Sequence, residues 1–136
     1  MKNTWVIPCN VKVFDVVKHF KQSDTICWKR GAGEKQGDDV YIYVGIPYKA
    51  IMYRCVVEDD NVGERELLEH PYVTKLNIGA RYRYMKLRKS YIFSNPITLE
   101  TIKRLGIYMV RKQARVDNNV LQYLVNVEVS ETKEIR

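Results

Sequence analysis

Asp38 to Val57, DDVYIYVGIPYKAIMYRCVV, is the stretch of this sequence that decides the fold. Residues 40–44 alternate aliphatic and tyrosine side chains, and a period of two is typical of a strand with two different faces. Residues 45–48 contain glycine and proline and predict a turn. Residues 50–57 are again apolar and predict the partner strand. The stretch therefore predicts a β-hairpin within a larger sheet.

The residues before this hairpin predict a strand, a helix and a second strand. Residues 3–9 form the first strand, and Asn10 is the predicted N-cap of the helix. The apolar stripe of that helix has helical spacing and consists of Val13, Val16, Val17 and Phe20. Residues 26–28 form the next strand. It runs into a basic, glycine-rich loop at residues 29–37, which we expect to be flexible.

The residues after the hairpin complete an α+β pattern. They first predict an acidic excursion at 58–71 and then, at 80–93, a Tyr- and Arg-rich segment that is either one long strand or a strand pair with a bulge. A helix from the Thr98 cap to Gly106, an extended segment at 110–116 and a helix capped by Asp117 or Asn118 follow. The pattern favours a small mixed β-sheet closing into a barrel flanked by about three helices. We expect one domain over residues 1–126 and a charged, frayed tail over 127–136.

The charge of the chain is concentrated in one region. The net charge is +7 over 136 residues. Residues 72–116 carry eleven basic side chains and one acidic side chain, whereas residues 57–71 carry one basic and six acidic. A basic block of this density favours a polyanionic partner, although a solvated basic face with no partner is the alternative. With no apolar run of about 20 residues, the chain is not expected to enter a membrane, and we expect a cytoplasmic protein.

Few residues favour catalysis or metal binding. The two histidines, His19 and His70, and the three cysteines lack the spacing of a zinc site, so we expect no metal and no cofactor. The glycines of residues 29–37 form neither a phosphate-binding loop nor a dinucleotide fingerprint. A cysteine–histidine pair could form only in space, and we expect no enzyme. The cysteines predict free thiols in a reducing compartment.

Aromatic and basic residues instead favour nucleic-acid binding. Trp28 ends a strand and is followed at once by Lys29 and Arg30, so its indole ring is the candidate stacking surface for a base. Tryptophan is more often buried in a core, which is the alternative for this position. The candidate contacts to the nucleic-acid backbone are the basic residues Lys29, Arg30, Arg81, Arg83, Arg111, Lys112 and Arg115.

The ordered series of these segments resembles the EVE domains of the PUA-like superfamily, over nearly the whole chain apart from residues 58–80 and the tail. The runs that carry the resemblance are Trp5-Val-Ile-Pro-Cys-Asn10, Ile26-Cys-Trp28, Gly37-Asp-Asp-Val-Tyr-Ile-Tyr-Val44, Ile51-Met-Tyr-Arg-Cys-Val-Val57, Tyr84-Met-Lys-Leu87, the segment 99–106, and Arg115-Val116 followed by Leu121 and Tyr123-Leu124.

The resemblance implies a small β-barrel that takes a modified base into an aromatic pocket, as EVE domains do in DNA and the related YTH domains do in RNA. By this analogy Trp28 is the cage tryptophan, Cys9 and Asn10 line the pocket, and Tyr72 completes the cage. Two departures bear on base preference. Cys27 stands where many EVE domains have an acidic residue, and Arg111-Lys112 replaces the Gln-Gly segment of the family.

The leading functional hypothesis is therefore a non-catalytic domain that reads a modified base by flipping it out of the helix, with modified cytosine in DNA as the first candidate. An effector protein such as a restriction nuclease would act after recognition. The alternatives are an RNA-binding PUA-like module acting on modified tRNA or mRNA, a protein-interaction module, and a small nucleotide-related enzyme that uses Cys9 or Cys55.

Overall fold

The computed structural model describes residues 2–31, 33–63, 65–66, 83–106 and 114–135, with the backbone alone described for 114, 115 and 133–135. The described strands are β1 (Thr4–Cys9), β2 (Thr25–Arg30), β3 (Asp39–Val44), β4 (Ala50–Asp59), β5 (Arg83–Thr98) and β6 (Ala114–Arg115). The helices bounded within these residues are α1 (Val16–Phe20), α2 (Leu99–Arg104) and α3 (Asn118–Ile135). No helix in the described part of the chain combines the length and the apolar character that a membrane span requires.

The strands form one mixed sheet in the order β2-β5-β4-β3-β1-β6. β1 and β3 run parallel, and the other pairs are antiparallel. All six residues of β3 are buried, because this strand lies in the middle of the sheet with both of its faces covered. The predicted hairpin is confirmed as β3 and β4.

β5 is the longest strand, with 16 residues, and it joins two parts of the sheet. Its first residues pair with β2, and most of its length pairs with β4. The pairing with β4 shifts register at three places. Register shifts of this kind bend a strand and increase its twist, so the sheet curls into a half-barrel.

The sheet separates two hydrophobic clusters. The alternation of β3 is confirmed, because Val40, Ile42 and Val44 lie in the inner cluster whereas Tyr41 and Tyr43 lie in the outer one. The inner cluster joins β1, near one end of the strand order, to β2, at the other end, and also contains Val16 and Phe20 of α1. The outer cluster is covered by Ile102 of α2 and by Val120 and Leu124 of α3.

The first helix is shorter than the sequence predicts. Asn10 does not cap it, because the Asn10 side-chain oxygen accepts a hydrogen bond from the Lys12 amide within a turn, at 3.0 Å. Asp15 is the N-cap instead, and its carboxylate accepts from the Lys18 amide at 3.1 Å. Residues 10–15 therefore form a turn that places Phe14, which lies off the predicted stripe, in the inner cluster.

The last helix does not fray after residue 126 as expected, but continues to Ile135. Glu131 is 4% exposed, and its carboxylate accepts hydrogen bonds from the Tyr91 hydroxyl and from the Ser94 and Asn95 amides. Arg54 of β4 forms a bidentate pair with Glu128 at 2.8 and 2.9 Å. The charged residues of the expected tail thus bind the helix to the sheet.

Candidate nucleic-acid interface

The pairing of β2 with β5 places two arginines beside each other at one end of the half-barrel. Trp28 lies opposite Met85, and Arg30 lies opposite Arg83. Residues two apart in a strand share a face, so both arginines continue the inward-facing row of Trp28 and Met85. Lys29 lies opposite Tyr84 on the other face. Of the two basic residues that follow Trp28, only Arg30 therefore shares its face.

The indole of Trp28 is buried and not open to solvent as the sequence suggested. The residue is 4% exposed and belongs to the inner cluster. The ring of Phe14 packs edge-on against it, with the ring centroids 6.5 Å apart. The expectation of an exposed stacking surface is not met in this conformation, because the apolar interior of the half-barrel closes around the ring. The role of Trp28 as a wall of a base pocket stays a prediction.

Phe14 links Trp28 to the corner after β1, and the sequence did not identify this residue. The Cys9 thiol donates a hydrogen bond to the Phe14 carbonyl oxygen at 3.4 Å. Cys9 is buried, whereas Asn10 is exposed at the start of the turn. The structure therefore brings Cys9, Phe14 and Trp28 together and places Asn10 at the surface. The sequence signal that could have identified Phe14 is its position, since it is an aromatic residue immediately before the Asp15 cap.

The loop after β2 forms hydrogen bonds to two buried acidic residues, Glu34 and Asp38. Arg30 Nε donates to the Glu34 carbonyl oxygen at 2.6 Å, and the Gly31 amide donates to the Glu34 carboxylate at 3.4 Å. Gly33 and Gly37 have positive φ values of 93° and 92°, which glycine adopts without strain. These two residues therefore allow the chain to turn at each end of residues 33–37. Glu34 itself is buried.

Asp38 fixes the far end of the loop. Its carboxylate accepts hydrogen bonds from the Asn3 amide, the Lys35 amide and the Trp5 indole nitrogen, each at 2.9 Å. Burial alone would raise the pKa of Asp38, but these hydrogen bonds favour the charged form and lower the pKa below its usual value. The loop is therefore anchored to β1. An acidic residue after glycine in a basic segment was the signal for this anchor.

Much of the basic character of β5 is neutralised by ion pairs. Lys86 pairs with Glu66 at 2.8 Å, Arg88 pairs with Glu58 at 2.9 Å, and Lys89 lies 3.5 Å from Asp24. Of these partners, Glu58 lies near the end of β4 and Glu66 follows that strand in the acidic segment. Arg83 differs from them, because it is exposed and has no carboxylate partner within the described residues. The sequence count of basic residues therefore overstates the free positive charge of this strand.

The cysteines lie where a thiolate is not favoured. All three are buried. Burial raises the pKa of Cys9 and of Cys55 to about 12, and that of Cys27 to about 11. A pKa near 12 leaves about one thiol in 10⁵ ionised at pH 7. Since the thiolate is the nucleophile, neither Cys9 nor Cys55 is prepared for catalysis in this structure. No three His, Cys, Asp or Glu side chains of the described residues are arranged to hold a metal ion.

A groove of about 520 Å³ lies on the outer face of the sheet, away from Trp28. It runs between α3 and strands β3 and β4. Its apolar floor includes Tyr41, and two pairs of charged residues line it, namely Lys2 with Asp39 and Arg54 with Glu128. No residue that the sequence nominated for base binding lines this groove.

Several nominated residues are not positioned by the structure. Tyr72, Arg81, Arg111 and Lys112 lie outside the described residues. Arg115 lies in β6, opposite Trp5 of β1, and only its backbone is described. The predicted roles of these five residues stay predictions.

The sequence matches no family model and no curated protein. Solved structures do match. ASCH from Zymomonas mobilis is 14% identical, with 91% of this chain and 94% of that chain covered and a TM-score of 0.64. A hypothetical protein from Leishmania major is 12% identical, with 97% and 98% covered and a TM-score of 0.67.

Human THYN1, solved in complex with 5-methylcytosine containing DNA, also has this fold. It is 9% identical, with 93% of this chain and 98% of that chain covered and a TM-score of 0.64. At such identities the likeness establishes the fold alone. The chain shares the fold of these ASCH and THYN1 structures, which confirms the predicted fold class and agrees with the resemblance at the level of the fold alone.

Proposed function

We propose that this protein binds nucleic acid without catalysis and reads a modified base, with modified cytosine in DNA as its first target. The observation that carries the proposal is the likeness, over 93% of the chain, to human THYN1 in complex with 5-methylcytosine containing DNA. We propose that the base binds near Arg30 and Arg83, because these residues supply cationic groups beside Trp28, the only tryptophan of β2.

The buried indole adds a step to this function. A base can stack on Trp28 only after the side chains that cover the ring have moved, so binding includes an opening of the half-barrel. Phe14 is one of these side chains, and it lies in the turn between β1 and α1 rather than in a strand. Turns deform at lower cost than sheets, so we assign the opening to residues 10–15. Asn10 is exposed in the same turn, and we propose that it contacts the base edge.

The expected selectivity follows from the area that a methyl group buries. One methyl group in an apolar pocket is worth about 0.8 kcal/mol, which is about a fourfold difference in affinity. Stacking on an aromatic ring is worth about 1–3 kcal/mol, and a plain base gains it too. A preference of about fourfold for the modified base is therefore the least that the proposal requires. A larger preference would indicate that Asn10 distinguishes the base edge through hydrogen bonds.

The buried thiols argue against the enzymatic alternative that uses Cys9 or Cys55, since burial keeps both protonated at neutral pH. We place the consequence of binding in a partner protein, such as a restriction nuclease. Binding to RNA remains a separate outcome of the test described next.

Competition binding with a panel of labelled oligonucleotides tests the proposal. The panel contains plain and modified cytosine and adenine in single-stranded DNA, double-stranded DNA and RNA, each measured at two salt concentrations. We expect DNA with modified cytosine to bind at least fourfold more tightly than its plain counterpart, at both salt concentrations. Preference for a modified RNA would move the function to the RNA-binding alternative, and equal binding of all modified and plain strands would overturn base reading.

A further inference from the structure

We infer that Arg30 and Arg83 together bind one phosphodiester group, that of the nucleotide whose base enters beside Trp28. The inference rests on the proposed function, and it adds a binding site of defined chemistry to it. Directly opposed residues of an antiparallel pair have Cβ atoms about 5 Å apart and side chains on the same face. The register of β2 and β5 therefore starts both side chains from neighbouring positions on one face, within reach of one phosphodiester group.

The two arginines have little to neutralise them. No salt bridge forms at either guanidinium among the described residues, although Lys86, Arg88 and Lys89 of the same strand β5 each have a carboxylate. Arg30 donates through Nε to a backbone carbonyl, that of Glu34, which orients the guanidinium without neutralising it. Like charges that face each other across a strand pair destabilise a sheet. A pair of arginines that has no carboxylate partner within the described part of the chain favours an anionic ligand at this position.

The donors suit a phosphate in particular. A guanidinium presents parallel N–H groups that match two phosphate oxygens, and two such groups can hold one diester from both sides. The hydrogen bond to Glu34 occupies Nε of Arg30 and holds the side chain in place. No described residue accepts a hydrogen bond from the terminal nitrogens of Arg30, so these nitrogens can bind the ligand. Because the side chain is already held, less rotamer entropy is lost on binding.

The position relative to Trp28 fits a single nucleotide. Arg30 lies two residues beyond Trp28, which is about 7 Å along the strand, and on the same face. One sugar separates the phosphate of a nucleotide from its base, which is a comparable span. The arginine pair would therefore hold a phosphate next to the flipped base and not one several nucleotides away.

Double-mutant cycles between arginines and single phosphates test this site. The ligand is a DNA strand with one modified cytosine, in which a neutral methylphosphonate replaces one phosphate at a time: either flanking phosphate or one five nucleotides away. The protein is wild type, Arg83→Gln or Arg30→Gln. Arg88→Gln is the matched control, because it makes the same change in the same strand at a guanidinium that is already paired with Glu58.

We expect one flanking replacement to weaken binding to the wild-type protein about tenfold, and to weaken binding to Arg83→Gln less than twofold. The Arg88→Gln variant should keep the tenfold effect. Arg83→Lys should lose most of it, because an ammonium group lacks the paired donors. Since Arg83 is exposed, these variants are expected to fold, and thermal unfolding of each would verify this.

The outcomes separate this site from the proposed function. The fold-losses in affinity from Arg83→Gln and from a flanking methylphosphonate multiply when the two groups do not interact. If they multiply while the modified base is still preferred, the phosphate site is overturned and base reading stands. If the losses are coupled but plain and modified strands bind equally, the phosphate site is supported and base reading fails. A protein that binds none of these strands overturns both.

Discussion

Trp28 and Trp5 are both buried in the inner cluster, yet their neighbours differ. The indole nitrogen of Trp5 donates to Asp38 and so belongs to the anchor of the loop. Trp28 lies in the row that ends at Arg30 and Arg83. Sequence alone separated the two by their neighbours, because Lys29 and Arg30 follow Trp28. It could not show that Phe14 covers the ring, since that contact depends on the folding of the turn after β1.

Substitution of Trp28 by phenylalanine tests its role. Trp28→Ala would remove a large core side chain at a cost of about 3–5 kcal/mol, so loss of folding would obscure the result. Trp28→Phe keeps an aromatic core but offers less stacking area. We expect the preference for modified over plain cytosine to fall below twofold in fluorescence anisotropy titrations, and the plain strand to bind more weakly as well because it stacks on the same ring. Trp5→Phe is the control and should retain the preference although it loses the hydrogen bond to Asp38. Equal loss of preference in both variants would contradict the assignment.

Asp38 should make stability depend on pH. Its folded-state pKa lies below the ordinary value of 3.8, so its contribution is present above that pH and is lost as the pH falls through the folded-state pKa. We expect Asp38→Asn to lower the free energy of unfolding at pH 7 by about 2 kcal/mol, because hydrogen bonds to a charged acceptor are replaced by weaker ones. The difference from wild type should shrink when urea unfolding is repeated near pH 3.

The matched control for this measurement is Asp15→Asn. Asp15 is an exposed helix cap, and asparagine caps helices about as well as aspartate. Its effect should be a few tenths of a kcal/mol. A loss from Asp38→Asn that is as small as this, or one that persists unchanged at pH 3, would contradict the proposed anchor.

Local patterns predicted the elements that depend on local interactions. The alternation of β3 is confirmed, as is the cap at Thr98, whose side chain accepts from the Thr101 amide at 3.4 Å. Asp117 caps α3 by accepting from the Val120 amide at 3.0 Å. The sequence predictions are wrong where contacts between residues distant in sequence determine the structure. The end of α3 depends on the bonds of Glu131 to β5, and no sequence window contains both partners.

Glu131 should therefore control the last turns of α3. Burial would raise its pKa, but the hydrogen bonds from Tyr91, Asn95 and Ser94 outweigh burial and lower it, so the carboxylate is charged at neutral pH. We expect Glu131→Ala to leave the three donors without this acceptor and to speed amide hydrogen exchange at least tenfold over residues 127–135. Gln122→Ala, at an exposed position of the same helix, is the control. Unchanged exchange in Glu131→Ala would contradict the role of this residue as the anchor of the helix.

Over the whole molecule, the number of basic residues in the sequence does not show where unpaired positive charge lies in the fold. The dense basic block between residues 72 and 116 suggested a polyanionic partner. In the folded chain, acidic residues from other segments neutralise Lys86, Arg88 and Lys89. Among the described arginines of β2 and β5, Arg30 and Arg83 lie opposite each other and have no carboxylate partner. Composition could predict an anionic partner but not this concentration of charge, because it results from strand register.

The most direct measurement is ¹⁹F NMR of protein labelled with 5-fluorotryptophan. The two tryptophans, at positions 5 and 28, give two resonances, which Trp5→Phe assigns. Titration with a DNA strand that contains modified cytosine should shift the Trp28 resonance and leave that of Trp5 nearly unchanged, because the base stacks on one ring only. At equal saturation the plain strand should produce a smaller shift. A Trp28 resonance that stays in place while the modified strand binds would contradict the account, because the base would then be read elsewhere.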